Sequence, residues 1–414
     1  MPSHSANTWM LFRFSLYGFL KNQQYYEPFF ILALQEKGLS FFQIGLLIAI
    51  RSVCTNVMEL PSGAAADSYG RRLCMGVCFS GYILSFLVFG AGATFWHMAL
   101  AMALFAIGEA FRTGTHKAMI FDWLRAQGRE SERTRIYGYT RSWSKLGSAL
   151  SAIVAAGLVL TLHHYSYVFW LCVIPYALNM INVLTYPAAV ECTRPATGEG
   201  GALSTLMHAL REGWHNRKQR RLFLESMGFE GMFEIGKDYL QPVLKSAALS
   251  LPVLLYLEDK QRTAILVGIV YTVLFLLASA ASRQSHRVAA HYGGDEDRAA
   301  RLLWRVAFLS YLLLIPSLFW NWHVSSIVFF VVLYAIQNLW RPALMARLDE
   351  CSDASTGATT LSIESQAQSL FTMAGAPLLG YCVDRAGLWP VGVLGAALAL
   401  LALLSRRRLS SARP

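Results

Sequence analysis

The sequence has 414 residues, of which 55% are hydrophobic and only 15% are charged. These proportions exclude a soluble globular protein of this length and predict a polytopic membrane protein. The formal net charge of +11 comes mostly from arginine and lysine in the predicted loops. The charge therefore reports membrane topology and does not indicate a nucleic-acid partner.

Apolar segments of about 20 residues follow one another along the chain, each long enough to cross a bilayer, and we count twelve. No acid or base interrupts the third, sixth and twelfth segments (73–93, 167–189 and 388–404), and the ninth (302–319) carries only Arg305. Because a charge at membrane depth is costly, the charged segments need a wet or paired interior. The sequence predicts an all-α membrane protein of twelve transmembrane helices, in which every third helix faces lipid and the others enclose a polar cavity. Secondary transporters have this arrangement.

A change of composition divides the chain into two pseudo-symmetric six-helix halves, at 1–190 and 220–414. The linker at 191–219 contains proline and glycine and leads into a basic amphipathic segment, which we expect to lie on the inner membrane surface. Basic residues cluster in alternate loops and at the C-terminus, which predicts a cell-membrane protein with both termini in the cytoplasm. Polar residues interrupt the first apolar run and no signal-peptide cleavage site follows it, so we expect it to be retained as the first helix.

A specific motif ends the second segment, in the stretch ELPSGAAADSYGRR that contains Gly63, Asp67, Gly70 and Arg71. Small residues allow close helix packing, Gly70 permits a tight turn, and a carboxylate can accept hydrogen bonds from a helix N-terminus. The stretch resembles the major facilitator superfamily signature between helices 2 and 3. The resemblance implies a twelve-helix fold with a cytoplasmic latch between its halves, which Asp122 near the end of the fourth segment would join.

Two features depart from the pattern of that family. The helix 5 signature of drug and proton antiporters, a Gly-rich run containing Gly-Pro, has no match at 141–157, which weakens an assignment to standard drug antiport. The equivalent latch after helix 8, at 282–294, has also degenerated. Gly380, Asp384 and Gly387 repeat the glycine and aspartate spacing of the first motif at the end of the eleventh segment. The sequence alone predicts no function for this repeat.

Polar side chains that recur three, four or seven positions apart share a helix face and form a candidate substrate cavity. The candidates in the N-terminal half are mainly basic: Lys21, Gln24, Tyr25, Glu27, Arg112, Arg141 and Lys145. Those in the C-terminal half, beside the acids of helix 7, are Lys237, Gln337, Arg341 and Glu364. A buried charge is as often half of a structural ion pair as a substrate ligand, and Glu109 with Arg112 is a candidate for such a pair.

Three acids crowd the seventh segment, namely Glu230, Glu234 and Asp238, and Lys237 alone cannot neutralise them. Crowding favours protonation of one carboxylate, and a carboxylate exposed alternately to each side of the membrane would couple proton movement to transport. Glu230 and Glu234 are the preferred candidates for this role. His116 is a candidate proton relay, with a hydrogen-bonded structural histidine as the alternative.

The sequence therefore predicts a proton-coupled transporter that moves a small polar or amphiphilic organic solute by alternating access, with efflux favoured over uptake. The opposed basic and acidic halves would suit a zwitterion. A cationic multidrug exporter and a transport-inactive receptor or scaffold of the same fold are the alternatives. We expect no enzymatic activity, cofactor or metal, because nucleophile, phosphate-loop and metal-ligand patterns are lacking. The expected partners are the substrate, protons and the lipid bilayer, and the chain is expected to act as a monomer with free thiols.

Overall fold

The computed structural model describes residues 4–113, 115–129, 132–187, 217–252, 254–291, 296–349 and 357–410. Every regular element within these ranges is a helix, as the sequence predicts. Most of the linker predicted at 191–219 lies outside the described residues, and so does the side chain of Asp67.

Fifteen α-helices follow one another in the described chain. The first eight are α1 (His4–Lys21), α2 (Phe30–Glu36), α3 (Phe41–Tyr69), α4 (Arg71–Ala91), α5 (Phe95–Arg112), α6 (Thr115–Ala126), α7 (Arg133–Leu162) and α8 (Tyr167–Leu184). The remaining seven are α9 (Arg217–Gly236), α10 (Leu240–Ser250), α11 (Asp259–His291), α12 (Glu296–Phe319), α13 (His323–Asp349), α14 (Gly357–Ala386) and α15 (Pro390–Ser410).

Three of the predicted segments are interrupted rather than continuous. The first breaks after α1 and restarts through a 3₁₀ turn, Glu27–Phe29, that contains Pro28. The fourth breaks after α5, where Thr113 has an extended backbone. A second 3₁₀ turn, Lys237–Tyr239, separates α9 from α10 in the seventh segment. Interrupted helices at membrane depth are typical of places where backbone and side chains line a cavity.

The predicted count of twelve spanning helices is not confirmed. Seven helices among the described residues are long and apolar enough to cross a membrane: Phe41–Glu59, Arg71–Ala91, Ile136–Leu162, Tyr167–Leu184, Asp259–Ser282, Asp297–Phe319 and His323–Met345. A shorter apolar helix, Pro390–Leu404, follows near the end of the chain.

The chain forms two compact units. The first contains Met1–Lys37, Ile50–Glu199 and Val267–Phe275, and the second contains Gly38–Ala49, Gly200–Leu266 and Leu276–Pro414. Helices α4 and α5 of the first unit pack closely. A Cβ atom on Gly108 of α5 would lie only 2.9 Å from the carbonyl oxygen of Cys78 on α4. Small residues therefore allow these two helices to approach in the manner of membrane helix pairs.

An exposed apolar stripe runs along α8, the sixth predicted segment. Tyr167, Trp170, Ile174, Leu178 and Ile181 recur at intervals of three or four residues and are all exposed. Residues at this spacing share one face of a helix. The stripe agrees with the expectation that this segment turns one face to lipid.

The repeated glycine and aspartate motif at the end of α14 has a structural role in the second unit. The two carboxylate oxygens of Asp384 accept hydrogen bonds from the backbone N–H groups of Phe41 at 2.9 Å and Phe42 at 2.8 Å. These N–H groups open α3 and have no partner within the helix, so the carboxylate caps its N-terminus and favours its dipole. Gly380 permits the approach, because a Cβ there would lie 2.2 Å from the carbonyl oxygen of Phe41.

Replacing Gly380 with alanine should destabilise the protein, because the added methyl group meets a backbone oxygen that cannot rotate away. Overpacking of this kind costs about 1–3 kcal/mol. We expect G380A to lower the thermal unfolding temperature of the purified protein. Gly63 provides the matched control, since it holds the same place in the first motif and a Cβ there meets no atom within 4 Å. Equal unfolding temperatures for G380A and G63A would contradict the close contact.

Candidate functional site

A cavity of about 460 Å³ lies in the first unit. Ligand sites for small molecules have volumes of this order, roughly 300–1,000 Å³. Four predicted cavity residues and the predicted relay histidine belong to its wall, and no acid among the described residues does. The lining residues are Phe14, Tyr17, Gly18, Lys21, Asn22, Arg112, His116, Lys117, Ile120, Tyr137, Thr140, Arg141, Ser144, Lys145 and Ser148.

The helix breaks bring two of the cations to this cavity. Lys21 is the last residue of α1 and Arg112 is the last residue of α5. The carbonyl groups that end a helix lack intrahelical partners, and the helix dipole places partial negative charge there, which favours a cation. Both breaks therefore present a helix C-terminus together with a basic side chain. The sequence predicted these two residues but not the second interruption.

Arg112 is held in place by neighbours in its own unit. Its Nε donates to the hydroxyl oxygen of Tyr82 at 3.1 Å, and its Nη2 lies 3.5 Å from Glu109 Oε1. The ion pair with Glu109 that the sequence suggested is therefore present. Tyr82 and Glu109 fix the guanidinium while the residue still contributes to the cavity wall.

His116 packs as a buried aromatic residue at the edge of the cavity. Its ring stacks on Tyr17 with centroids 3.5 Å apart and planes inclined by 11°. Its Nε2 lies 3.4 Å from the hydroxyl oxygen of Tyr186, and Phe14 contacts it edge-on. These contacts give His116 a packing role, and the proton relay stays a prediction.

One face of α7 forms a polar wall of the cavity. Arg141, Ser144, Lys145 and Ser148 are spaced by three, four and seven residues and therefore lie on the same side of the helix. Within the described part of the chain, no carboxylate lies within 4 Å of the charged nitrogen atoms of Lys21, Arg141 or Lys145. The wall thus presents cations and hydroxyl groups to whatever occupies the cavity.

Three of the cavity residues predicted in the N-terminal half, Gln24, Tyr25 and Glu27, do not line this cavity. Gln24 donates from Nε2 to the hydroxyl oxygen of Tyr176 at 3.4 Å, and Tyr25 is half-buried next to it. Glu27 opens the 3₁₀ turn that restarts the first segment. The break after α1 changes the direction of the chain, so helical spacing counted from Lys21 does not carry through to these residues.

A buried ionic cluster joins α9, α13 and α14 in the second unit. Arg341 donates to both carboxylate oxygens of Glu364, at 2.6 and 3.1 Å, and its Nη1 lies 3.9 Å from Glu230 Oε1. Gln337 Nε2 donates to Glu230 Oε2 at 3.0 Å, and Ser226 donates to Glu364. Four residues predicted on three separate segments, Glu230, Gln337, Arg341 and Glu364, therefore meet in one cluster.

This cluster contains more negative than positive charge. Glu230 and Glu364 share the single guanidinium of Arg341, and their side chains are 7% and 1% exposed. Glu230 Oε1 accepts no hydrogen bond from the described residues. An uncompensated buried carboxylate is costly, and binding a proton removes that cost. Protonation of one of the two carboxylates would therefore relieve the excess of buried negative charge.

The other acids of the seventh segment have a different environment. Glu234 Oε2 lies 2.7 Å from the ammonium group of Lys237, which compensates it one to one. Asp238 lies in the 3₁₀ turn and is half-buried, as are Glu234 and Lys237. Of the two candidates preferred from sequence, Glu230 has the environment that better suits a proton-coupling role.

The residues of the predicted cytoplasmic latch are partly described. Gly70 has a φ of 87°, which favours glycine, and it precedes Arg71 at the start of α4. Arg71 forms an ion pair with Asp122 near the end of α6, and Asp122 also lies 3.2 Å from Arg125. Arg71 and Asp122, two residues of the predicted latch, thus contact each other within the first unit, and the latch between the halves stays a prediction.

The second unit contains a related cluster that the sequence analysis missed. Arg347 donates to Glu225 at 3.0 Å and to Asp297 at 2.6 Å, and Arg221 donates to Glu225 at 2.7 Å. Asp297 lies near the start of α12 and Arg347 near the end of α13. The signs are reversed relative to Arg71 and Asp122, so a search for the same signature could not find it.

Metal-ligand and thiol chemistry add little to the site. In the part of the chain that the structure describes, no group of three or more His, Cys, Asp or Glu residues is placed to hold a metal ion. Five cysteines are free thiols, namely Cys54, Cys74, Cys78, Cys172 and Cys382. The other two, Cys192 and Cys351, lie outside the described residues.

Comparison with curated sequences gives two partial matches. The chain is 29% identical over 128 residues to the "Probable L-galactonate transporter" of Escherichia coli strain K12, and 31% identical over 90 residues to the "Uncharacterized MFS-type transporter YxaM" of Bacillus subtilis strain 168. These matches cover 31% and 22% of this chain, and 27% and 23% of the relatives. The chain thus matches about a quarter of the length of each. Both relatives are named as transporters, which agrees with the expectation that the chain is not an enzyme.

Solved structures share the fold over nearly the whole chain. The nucleoside transporter NupG matches with a TM-score of 0.75 and 12% identity, covering 97% of this chain and 98% of that one. A peptide transporter POT in complex with sulfate matches with a TM-score of 0.69 and 14% identity, covering 96% and 94%. At these identities the likeness establishes the fold alone.

The model of one protein family matches residues 22–406 and is described as "Major Facilitator Superfamily". Together with the apolar helices, this match shows that the protein is a multi-pass membrane protein. Because the match spans most of the sequence, the chain belongs to the major facilitator superfamily, and the family prediction made from the motif around Gly63 and Gly70 is confirmed.

Proposed function

We propose that the protein is a proton-coupled secondary transporter of a small organic anion. The observation that carries this proposal is the cavity of the first unit. Within the part of the chain that the structure describes, its wall contains no acid and five basic residues, Lys21, Arg112, Lys117, Arg141 and Lys145. Guanidinium and ammonium groups bind carboxylates and phosphates through charge-assisted hydrogen bonds. The same wall would repel a cationic drug, which argues against the multidrug alternative.

The partial relative from Escherichia coli supports the choice of an organic anion. Its printed name assigns it L-galactonate, a carboxylate that carries several hydroxyl groups. The cavity pairs its cations with the polar side chains of Asn22, Thr140, Ser144 and Ser148. A hydroxylated organic acid would find a partner for each kind of group it carries. This chemistry replaces the zwitterion that the opposed charges of the two halves first suggested, because the acids of the second unit are engaged with Arg341 and Lys237.

Proton coupling is proposed to occur at the buried cluster around Glu230. Glu364, Arg341 and Gln337 face this carboxylate from α13 and α14, and Glu234 lies on its own helix. A proton on Glu230 would leave Arg341 to Glu364 alone. Loss of the proton would make both carboxylates compete for the same guanidinium, so the two protonation states would favour different arrangements of three helices.

The wider organisation follows the family expectation. We propose twelve membrane crossings in two six-helix halves, 1–190 and 220–414, joined by a cytoplasmic linker at 191–219. Both termini would face the cytoplasm, and the protein would act as a monomer in the cell membrane by alternating access. The ion pair of Arg71 with Asp122 would belong to a cytoplasmic gate that also includes Asp67.

Replacing Glu230 with glutamine tests the coupling role. The amide keeps the size of the side chain but cannot release a proton. We expect E230Q protein in liposomes to lose movement of gluconate driven by a pH gradient by about tenfold or more. Exchange of labelled for unlabelled gluconate should persist, because exchange requires no net proton movement.

Glu234→Gln is the matched control, since Glu234 is compensated by Lys237. We expect E234Q to retain transport driven by a pH gradient. Unchanged coupling in E230Q would refute the role of Glu230, and loss of coupling in E234Q alone would transfer that role to Glu234. A transport-inactive receptor would show neither driven movement nor exchange in the wild type.

Export in exchange for protons is the proposed direction. An acidic exterior should therefore speed the release of gluconate from preloaded liposomes in which the cytoplasmic face of the protein is inside. The measurement is the release rate of labelled gluconate with and without a pH gradient. Faster uptake instead of faster release under the same gradient would establish the opposite direction, proton symport.

A further inference from the structure

The charge of the cavity exceeds what one carboxylate needs. Five basic side chains line it, namely Lys21, Arg112, Lys117, Arg141 and Lys145. The first two stand at helix ends, and the last two lie one turn apart on α7. Five like charges in one cavity repel one another, so the empty cavity is electrostatically unfavourable. The charge of the wall therefore indicates how many negative charges a bound ligand carries.

Two acids and two helix ends already offset part of this charge. Glu109 lies 3.5 Å from Arg112, and Glu27 interacts electrostatically with Lys21 and Lys145. Each helix C-terminus adds the equivalent of roughly half a negative charge. The basic side chains of the wall outnumber these compensating charges, so one carboxylate would leave part of the positive charge unneutralised.

The cations also divide into two groups. Lys21 and Arg112 form one group, and Arg141 and Lys145 form the other. The first group lies at the ends of α1 and α5, and the second lies on α7. Asn22, Ser144 and Ser148 belong to the same wall. A cavity of about 460 Å³ holds a ligand of several carbon atoms that reaches both groups.

We infer that the cavity selects an organic dianion, with two acid groups separated by a short polar spacer, as a deepening of the organic-anion transport proposed above, on which it rests. One acid group binds at Lys21 and Arg112, and the other at Arg141 and Lys145. Hydroxyl groups on the spacer meet the amide and hydroxyl side chains of the wall. Lys117, whose ammonium lies 5.5 Å from the ring centroids of Phe121 and Tyr137, keeps the surroundings positive.

Matched pairs of anions test this inference on the purified full-length protein. Glucarate and gluconate have the same number of carbon atoms but carry two acid groups and one, and glutarate and pentanoate form a second pair without hydroxyl groups. We expect each dianion to bind at least about tenfold more tightly than its partner, a difference of roughly 1.4 kcal/mol. Dissociation constants would be measured by titration calorimetry at fixed ionic strength.

Variants locate the second acid group. Lys145→Gln should reduce the preference for glucarate over gluconate to less than about threefold, because the second acid group of the dianion loses its partner. Lys245→Gln is the matched control, since Lys245 is exposed on α10 in the other unit, and it should keep the full preference. Equal loss of both affinities in K145Q would overturn the assignment of Lys145 to the second acid group.

The outcomes separate this inference from the proposed function. Equal affinities within each pair would overturn the dianion and leave the organic-anion transporter standing. Binding of neither anion in either pair would overturn both. Tighter binding of glucarate, combined with equal binding of glutarate and pentanoate, would also overturn the inference, because the preference would then depend on hydroxyl groups and not on charge.

Discussion

An ionisable side chain within an apolar helix must either face water or lie against an opposite charge, because the interior of a membrane solvates it poorly. The two units satisfy this constraint in different ways. The second unit pairs its charges internally, with Arg341 held between Glu230 and Glu364, and Arg347 held between Glu225 and Asp297. The first unit gathers cations around an open cavity. The buried clusters belong to the unit that pairs its charges, and the proposed ligand chemistry belongs to the unit whose cations line a cavity.

The interrupted helices connect the chain to the chemistry of the cavity. A continuous helix hides its backbone from any ligand, because each carbonyl group bonds to the next turn. The breaks after Lys21 and Arg112 expose two helix C-termini and place a cation at each. The partial negative charge of each helix end favours the cation there and lowers the repulsion between the cations. The cavity can therefore hold several basic side chains without an acid in its wall.

The sequence predicted the features that depend on local spacing. The motif around Gly63 and Gly70 identified the family, and the period of α7 brought Arg141 and Lys145 to one wall. It did not predict the break after Arg112, where no proline marks the interruption. Glu225 and Asp297 were also missed as partners of Arg347, because the three residues lie on different helices and their signs reverse those of the first motif. Such contacts depend on how helices pack, which the periodicity of one helix does not contain.

The two copies of the glycine and aspartate motif have different surroundings. At Asp384 the carboxylate caps the start of α3, and Gly380 lets the two backbones approach. In the first motif, a Cβ atom on Gly63 would meet no atom of the described residues within 4 Å. Transport by alternating access requires contacts that exist in one arrangement and not in another. The proposed binding of an anion in the first unit and of a proton in the second would be coupled through the equilibrium between such arrangements.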